Sequence, residues 1–312
     1  MNDQKQRRVK LNYSQIINNA KTFHLSIVEY SGIEKKNLTT TSHSKSGRLT
    51  IAQHLQKLEK ENVLSDGNTP LLILSCRNVL ANLRCVGYLQ GKENVACVKE
   101  EKESVRPYFI FGQKSNGSLV MEEFSNTAES RKDYQWFLSG VPVLWDNVSD
   151  EQLFQNIVTE AADHSHVWEI FRGSHPEATN DSKQIWEDLQ KIFVDTLADS
   201  KETAFEKLNT LAQSKKLKRE DNYLHNILGV SGDGKTLYQL IGIGKLEDLG
   251  KQIQALGATR AICVDNSGSS VVQFYPKGIE GECIQEFAAP NHRPPGTAYL
   301  VIELENAGFK LG

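Results

Sequence analysis

Apolar residues recur along this chain with two different periods, and the changes of period divide it. Phe23 to Tyr30 alternates apolar and polar positions, the period of a half-buried strand. A Thr/Ser-rich stretch from Leu38 to Ser46 reads as a loop. Ile51, Leu55, Leu58 and Val63 then mark one face of a short amphipathic helix. Leu71-Leu72-Ile73-Leu74, bounded by Pro70 and Ser75-Cys76, is a continuous apolar run that predicts a strand buried on both faces. Between Val86 and Glu123 short strands and turns are expected. Ser115-Asn116-Gly117-Ser118 is the turn signal between Phe109-Ile110-Phe111 and Leu119-Val120-Met121. Phe137 to Leu144 closes this part, and residues 1–20 are polar enough to be loosely ordered.

From about Ser149 to Lys218 the period becomes helical. Leu153, Ile157, Val158 and Ala161 share a face, as do Ile185, Leu189, Ile192, Phe193 and Leu197 behind the candidate N-cap Ser182. Phe205, Leu208, Leu211 and Ala212 form a third stripe. Strand patterns return afterwards. Ile227–Val230 and Thr236–Ile243 flank the turn Ser231-Gly232-Asp233-Gly234 as a hairpin. Leu246, Leu249, Ile253 and Leu256 line one helix face, with Gly257 as its C-terminal cap. Thr259–Val264 is a buried strand, Val271–Tyr275 a second and Tyr299–Leu304 a third. The expected fold is α/β (α+β): a mixed sheet with packed helices, its two parts at 22–148 and 220–312 separated by a helical insertion at 149–219 and preceded by a polar segment at 1–21.

Composition narrows the function without fixing it. The chain has 312 residues, 24% of them charged, with a net charge of −3, which leaves no electrostatic footprint for nucleic acid. The cluster Lys215-Lys216-Leu217-Lys218-Arg219 runs into Glu220-Asp221 and reads as a solvated helix end. No apolar run is long enough to span a membrane, and no apolar segment follows the basic N-terminus as a signal peptide would require; a cytoplasmic location is the expectation. None of the five cysteines stands in C-x-x-C spacing, so neither a zinc site nor any other metal is expected, and Cys263 reads as a small buried hydrophobe. His164, His166 and His175 lack convergent ligand spacing. Gly242-Ile243-Gly244 lacks the third glycine of a dinucleotide fingerprint, position 247 being Glu, so no nucleotide cofactor is implied.

Candidate chemistry gathers near the C-terminal third. The loop Asp265-Asn266-Ser267-Gly268-Ser269-Ser270 follows the buried strand directly. It offers one carboxylate, hydroxyls from Ser267, Ser269 and Ser270, and a glycine, Gly268, that permits close backbone approach. That set suits a sugar or phosphate ligand, and the same composition also makes an ordinary turn. His225-Asn226 precedes the hairpin, and Asn291-His292-Arg293-Pro294 is a rigid polar stretch whose Arg293 could clamp a phosphate. Each also has a bland reading, a structural histidine and a solvated arginine.

In their order these segments resemble the phosphodiester glycosidase family. Leu256-Gly257-Ala258 through Val264-Asp265-Asn266-Ser267-Gly268-Ser269-Ser270 is similar to the family's helix, L-G-A, buried strand and D-G-G-G-S-S. His225-Asn226 through Val230, with Asp233-Gly234 beyond, looks like its H-P-R-T-A-I-G and downstream D-G. Ser139-Gly140-Val141-Pro142-Val143-Leu144 looks like its S-G-G-P-x-L, and Asn291–Pro294 like its late N-R-P. The departures are specific. Asn266 and Ser267 replace two glycines, Asn226 stands at the arginine, and Ser75-Cys76-Arg77-Asn78-Val79 stands at N-G-G-F-F, so that Arg77 adds a side chain there.

The resemblance implies cleavage of a sugar C1–O bond whose leaving group is a phosphate. Asp265 and His225 would be catalytic. Asn226, Arg77, Ser267, Gly268, Ser269, Ser270, Asn291 and Arg293 would bind a phosphorylated sugar or nucleotide-like ligand. Family members are often exported. The altered positions keep open a non-catalytic binding protein on the same scaffold. The insertion, with Trp168, Ile170, Phe171 and Trp186, keeps open a protein-interaction role.

Overall fold

The computed structural model describes residues 9–18, 21–31, 38–42, 50–60, 64, 70–75, 89–90, 108–116, 118–125, 127–150, 152–153, 188, 191, 195, 199–214, 224–234, 236–266, 270–288 and 298–303. Most of the expected helical insertion lies outside them. Its described helix runs Lys201–Ser214, with Ala204, Phe205 and Leu208 buried.

Among the described residues the strands form three antiparallel sheets. The first has six strands in the order β1(Val9–Asn18), β2(Lys21–Ser31), β11(Thr236–Ile243), β10(Leu224–Ser231), β12(Ala258–Asn266), β9(Val141–Leu144). The second has the order β14(Ile284–Ala288), β13(Val271–Ile279), β4(Leu71–Ser75), β15(Ala298–Glu303), β3(Leu38–Ser42). The third is β5(Leu89–Gln90), β8(Tyr134–Ser139), β6(Tyr108–Lys114), β7(Leu119–Phe124). Among the described residues the helices with described bounds are α1(Ile51–Lys60), α2(Ala128–Lys132), α3(Lys201–Ser214) and α4(Leu246–Ala255).

Alternation along each strand splits its side chains between two cores. Leu72 and Leu74 of β4, Leu224 and Leu228 of β10, Ile262 and Val264 of β12, and Val272 and Phe274 of β13 meet with Phe111 and Trp136 in a core shared by all three sheets. The opposite face of β4, through Leu71 and Ile73, packs with Ile51, Leu55 and Leu58 of α1. The opposite face of the six-stranded sheet, through Ile227, Leu240 and Ala261, packs with Leu246, Leu249 and Ile253 of α4 and with Phe205 and Leu208 of α3. The architecture is a helix–sheet–sheet–helix sandwich, and β4 is covered on both faces as its unbroken apolar run requires.

The α+β class, the hairpins at 108–124 and 224–243, and the helices α1 and α4 agree with the sequence patterns. Helix α4 carries Glu247 and Asp248 in its first turn, where the macrodipole favours anions, and Gly257 beyond its end at φ 113°. Two segments differ from the reading. Val9–Asn18, inside the stretch taken as loosely ordered, is a strand paired with β2 from Val9↔Tyr30 to Asn18↔Lys21. Its apolar positions Val9, Leu11 and Tyr13 do alternate, although the flanking charges dominate the composition. Leu38–Ser42, taken as loop, is a strand along β15, consistent with the β-branched run Thr39-Thr40-Thr41.

Two tyrosines tie local structure to alkaline stability. Burial first, then the hydrogen bond to and charge of Glu122, push the Tyr134 phenol well above its ordinary range. Burial first, then Cys283, does the same for Tyr275, whose hydroxyl also donates to Gln273 Oε1 at 2.9 Å. The folded state therefore keeps both protons at a pH where the unfolded chain, with phenols near about 10, loses them. The stabilisation is complete below that pH and declines as the pH rises beyond it. Urea unfolding should show a lower midpoint at about pH 11 than at about pH 8, and the loss should be smaller in a Tyr134→Phe/Tyr275→Phe variant. Equal losses in the two proteins would contradict this assignment.

Candidate functional site

The candidate site forms where β10 begins and β12 ends. These strands pair antiparallel, with Ile227↔Cys263 followed by Asn226↔Asp265. Strand β12 advances two residues there while β10 advances one, so Val264 is the additional residue of a β-bulge. Simple alternation would put Asp265 on the Cys263 face. The bulge instead sets it opposite Asn226, and directly opposed residues share a face. His225 pairs with Asn266, the last described residue before position 270. His225, Asn226, Asp265 and Ser270 are each at most 2% exposed.

A hydrogen-bonded relay crosses the sandwich at this point. Gln239 of β11 donates from Nε2 to Asn226 Oδ1 at 2.9 Å. Asn226 donates from Nδ2 to the Ser75 carbonyl at 2.7 Å and to Ser75 Oγ at 3.1 Å, across to the second sheet. The Val271 N–H donates to the same Ser75 Oγ at 3.0 Å. The residue next to Val271 is Ser270, so the relay fixes the β13 end of the connection from β12. Polar groups this deep cost several kcal/mol each if left unmatched, which makes the relay a positional constraint as well as a tie. Ser270 Oγ, wholly buried, has no hydrogen-bond partner among the described residues.

On the other face of β10, His225 meets Cys263. The Cys263 sulfur lies 3.7 Å from His225 Nδ1 and donates to the Asp265 carbonyl at 3.4 Å. Gly140, at the step from β8 into β9, presses against this stretch. A Cβ at Gly140 would stand 2.4 Å from the Cys263 carbonyl oxygen, so only glycine lets the chain cross there. Farther along β12, Arg260 holds the turn after β9. Its Nε pairs with Asp146 at 2.6 Å, its Nη1 donates to the Met121 carbonyl at 2.8 Å, and its guanidinium covers Trp145.

Of the site residues inferred from sequence, the structure places Asp265 and Asn226 on one face at the end of the β10–β12 pair, His225 at the same end on the opposite face, and Ser270 next to Val271, whose amide Ser75 holds. Ser267, Gly268, Ser269, Asn291, Arg293 and Arg77 lie outside the described residues. Sequence reasoning missed Ser75 and Gln239 as partners of Asn226. It took Cys263 as a plain core residue; Cys263 does pack in the apolar core, and its sulfur also meets His225. A polar residue inside an otherwise apolar strand, as Gln239 is in β11, was the available signal. Among the described residues no group of three or more His, Cys, Asp or Glu is placed to hold a metal ion, and no helix is long and apolar enough to cross a membrane.

No family model and no curated protein matches the chain. Solved structures do. The catalytic domain of zebrafish N-acetylglucosamine-1-phosphodiester alpha-N-acetylglucosaminidase, auto-inhibited by its pro-peptide, superposes with a TM-score of 0.56 at 11% identity, over 98% of this chain and 86% of that one. A hypothetical protein from Synechocystis gives a TM-score of 0.46 at 7% identity, over 97% of this chain and 64% of that one, a likeness too weak to carry an argument. The first comparison establishes a shared fold with a glycosidase catalytic domain.

The relay predicts strong coupling. Asn226→Leu should cost about 3 kcal/mol in urea unfolding, because it strands the Gln239 amide and the Ser75 carbonyl in the core. Adding Gln239→Leu to that variant should cost less than Gln239→Leu costs alone. Strict additivity of the two substitutions would contradict a shared hydrogen bond.

Proposed function

We propose that this protein acts on a glycosyl-1-phosphodiester or a related phosphorylated sugar, as a divergent relative of the phosphodiester glycosidases. The observation that carries the reading is the placement of Asp265 by the β12 bulge, beside Asn226 and ahead of Ser270, on a fold shared with a glycosidase catalytic domain. In such a reaction the leaving group departs as a phosphate anion, so strong general-acid help is less necessary than for an ordinary glycoside. The remaining demand is to stabilise positive charge developing at the sugar C1. The Asp265 carboxylate meets it, held by the strand pair so that little reorganisation is needed during the reaction. His225 orients water or assists the phosphate. Ser270, with Ser267, Gly268 and Ser269, receives sugar hydroxyls or phosphate oxygens, and Arg77, Asn291 and Arg293 complete the ligand contacts.

One observation favours a second reading, a non-catalytic binding protein on the same scaffold. Asp265 and His225 are 2% and 1% exposed, a degree of enclosure that also suits a purely structural polar cluster. Substitution of the family's glycines by Asn266 and Ser267 points the same way.

Turnover and binding separate the two. The purified protein is incubated with a panel of glycosyl-1-phosphodiesters and nucleotide sugars, with free sugar and phosphomonoester followed by mass spectrometry and melting temperature followed in parallel. Release of sugar that falls at least about a hundredfold in Asp265→Asn, with the fold intact, is the expected result. A thermal shift without turnover establishes the binding protein. Full activity in Asp265→Asn removes the carboxylate from the mechanism.

A further inference from the structure

We infer that the tip of the β6–β7 hairpin is a self-modifying site, where Asn116 closes onto the next backbone nitrogen, loses ammonia and becomes aspartate or isoaspartate. The inference does not depend on the sugar reading above. Asn116-Gly117 is the only Asn-Gly pair in the sequence. Cyclisation requires the nitrogen of the following residue to reach the side-chain carbonyl carbon, and glycine puts no β-carbon in the way. The second requirement is an activated carbonyl, and the hairpin supplies it. The Ser118 N–H donates to Asn116 Oδ1 at 2.9 Å, and the Ser118 hydroxyl donates to the same oxygen at 2.7 Å. Attack on Cγ converts that oxygen to an oxyanion, so both donors already point at the atom on which negative charge develops. The first of these hydrogen bonds closes a ring that spans the 116–117 peptide, which keeps Cγ folded back along the chain toward the nitrogen it must meet.

The fold anchors the flanks of this tip. The Lys114 N–H donates to the Ser118 carbonyl at 2.9 Å. The Ser115 N–H donates to the Asp133 carbonyl at 2.6 Å, and its hydroxyl to the Lys132 carbonyl at 2.8 Å, where α2 ends. Asn116 itself is exposed, so water and hydroxide reach it. In the step, the Gly117 nitrogen gives its proton to water or hydroxide and bonds to Asn116 Cγ. The C–Nδ2 bond then breaks, and Nδ2 leaves as ammonia with a proton taken from water. Water opens the resulting succinimide at either carbonyl; the net change is one water consumed and one ammonia released, with no oxidant or reductant. Asn147 provides the contrast. It is equally exposed, in the turn after β9, but is followed by the β-branched Val148. Conversion at 116 adds a negative charge to the hairpin tip. Its isoaspartyl form also lengthens the main chain by one methylene between Lys114 and Ser118, whose hydrogen bond closes the turn.

The test is peptide mapping by mass spectrometry of the full chain during incubation at mildly alkaline pH, run on the folded protein and on the same protein unfolded in urea. The expected result is replacement of the Asn116 amide by a carboxyl group, faster in the folded protein than in urea, while Asn147 stays intact. Ser118→Ala, which removes one of the two donors, should slow conversion at least about threefold in the folded protein and leave the rate in urea unchanged. Ser118→Thr, which keeps both donors, should convert at the wild-type rate. Slower conversion in the folded protein than in urea overturns the inference. So does a folded Ser118→Ala protein that converts as fast as wild type, or an Asn147 that converts as fast as Asn116. Should Ser118→Ala fail to fold, the ratio of folded to unfolded rates in the wild-type protein still decides.

Discussion

A buried carboxamide between two sheets is an uncommon way to join a sandwich, because each of its polar atoms must be matched. Asn226 is matched on both sides: it accepts from Gln239 in its own sheet and donates twice to Ser75 in the other. An apolar contact tolerates sliding, since dispersion falls off gradually and has no direction. Hydrogen bonds of 2.7–3.1 Å do not. The apolar core supplies most of the cohesion between the sheets, whereas the relay fixes how they are aligned at one end. That end is where β12 runs out and β13 begins, and Ser75 holds the first amide of β13 as well.

Given that alignment, the rest of the candidate site is a set of local devices. The bulge at Val264 re-aims Asp265, and Gly140 lets the β8–β9 step pass against the Cys263 carbonyl. Arg260 pins the turn after β9 through an ion pair, a carbonyl and an indole face at once. The fold is shared with a glycosidase catalytic domain at 11% identity. So low a figure is compatible with shared architecture because apolar positions tolerate exchange when volume and pattern are kept.

Much of this was legible in the residue order. The unbroken run Leu71–Leu74 announced a strand covered on both faces, and the Leu246–Leu256 stripe with Gly257 announced α4 and its end. The polar run after Val264 marked the end of β12 only to within two residues, because Asp265 and Asn266, read as loop, still pair with Asn226 and His225. What was not legible is what depends on distant pairing. Asn226 and Ser75 are 151 positions apart, and Val271 and Ser75 196, so no local pattern links them. A bulge is likewise invisible in one strand, because it exists only relative to its partner's register. Strand β1 was hidden for a different reason: its alternation is present but sits beside a charged N-terminus, and its pairing with β2 decides its state.

The most direct test of the relay is native-state hydrogen exchange at the Val271 amide. That N–H depends on Ser75 Oγ, which depends in turn on Asn226. If the relay aligns the two sheets, Val271 exchanges only through global opening, with an exchange free energy equal to that of unfolding, and in Asn226→Leu it exchanges through a local opening well below that value. A Val271 amide that exchanges readily in the wild-type protein, or that is equally protected without the Asn226 carboxamide, would contradict the claim that this tie sets the site.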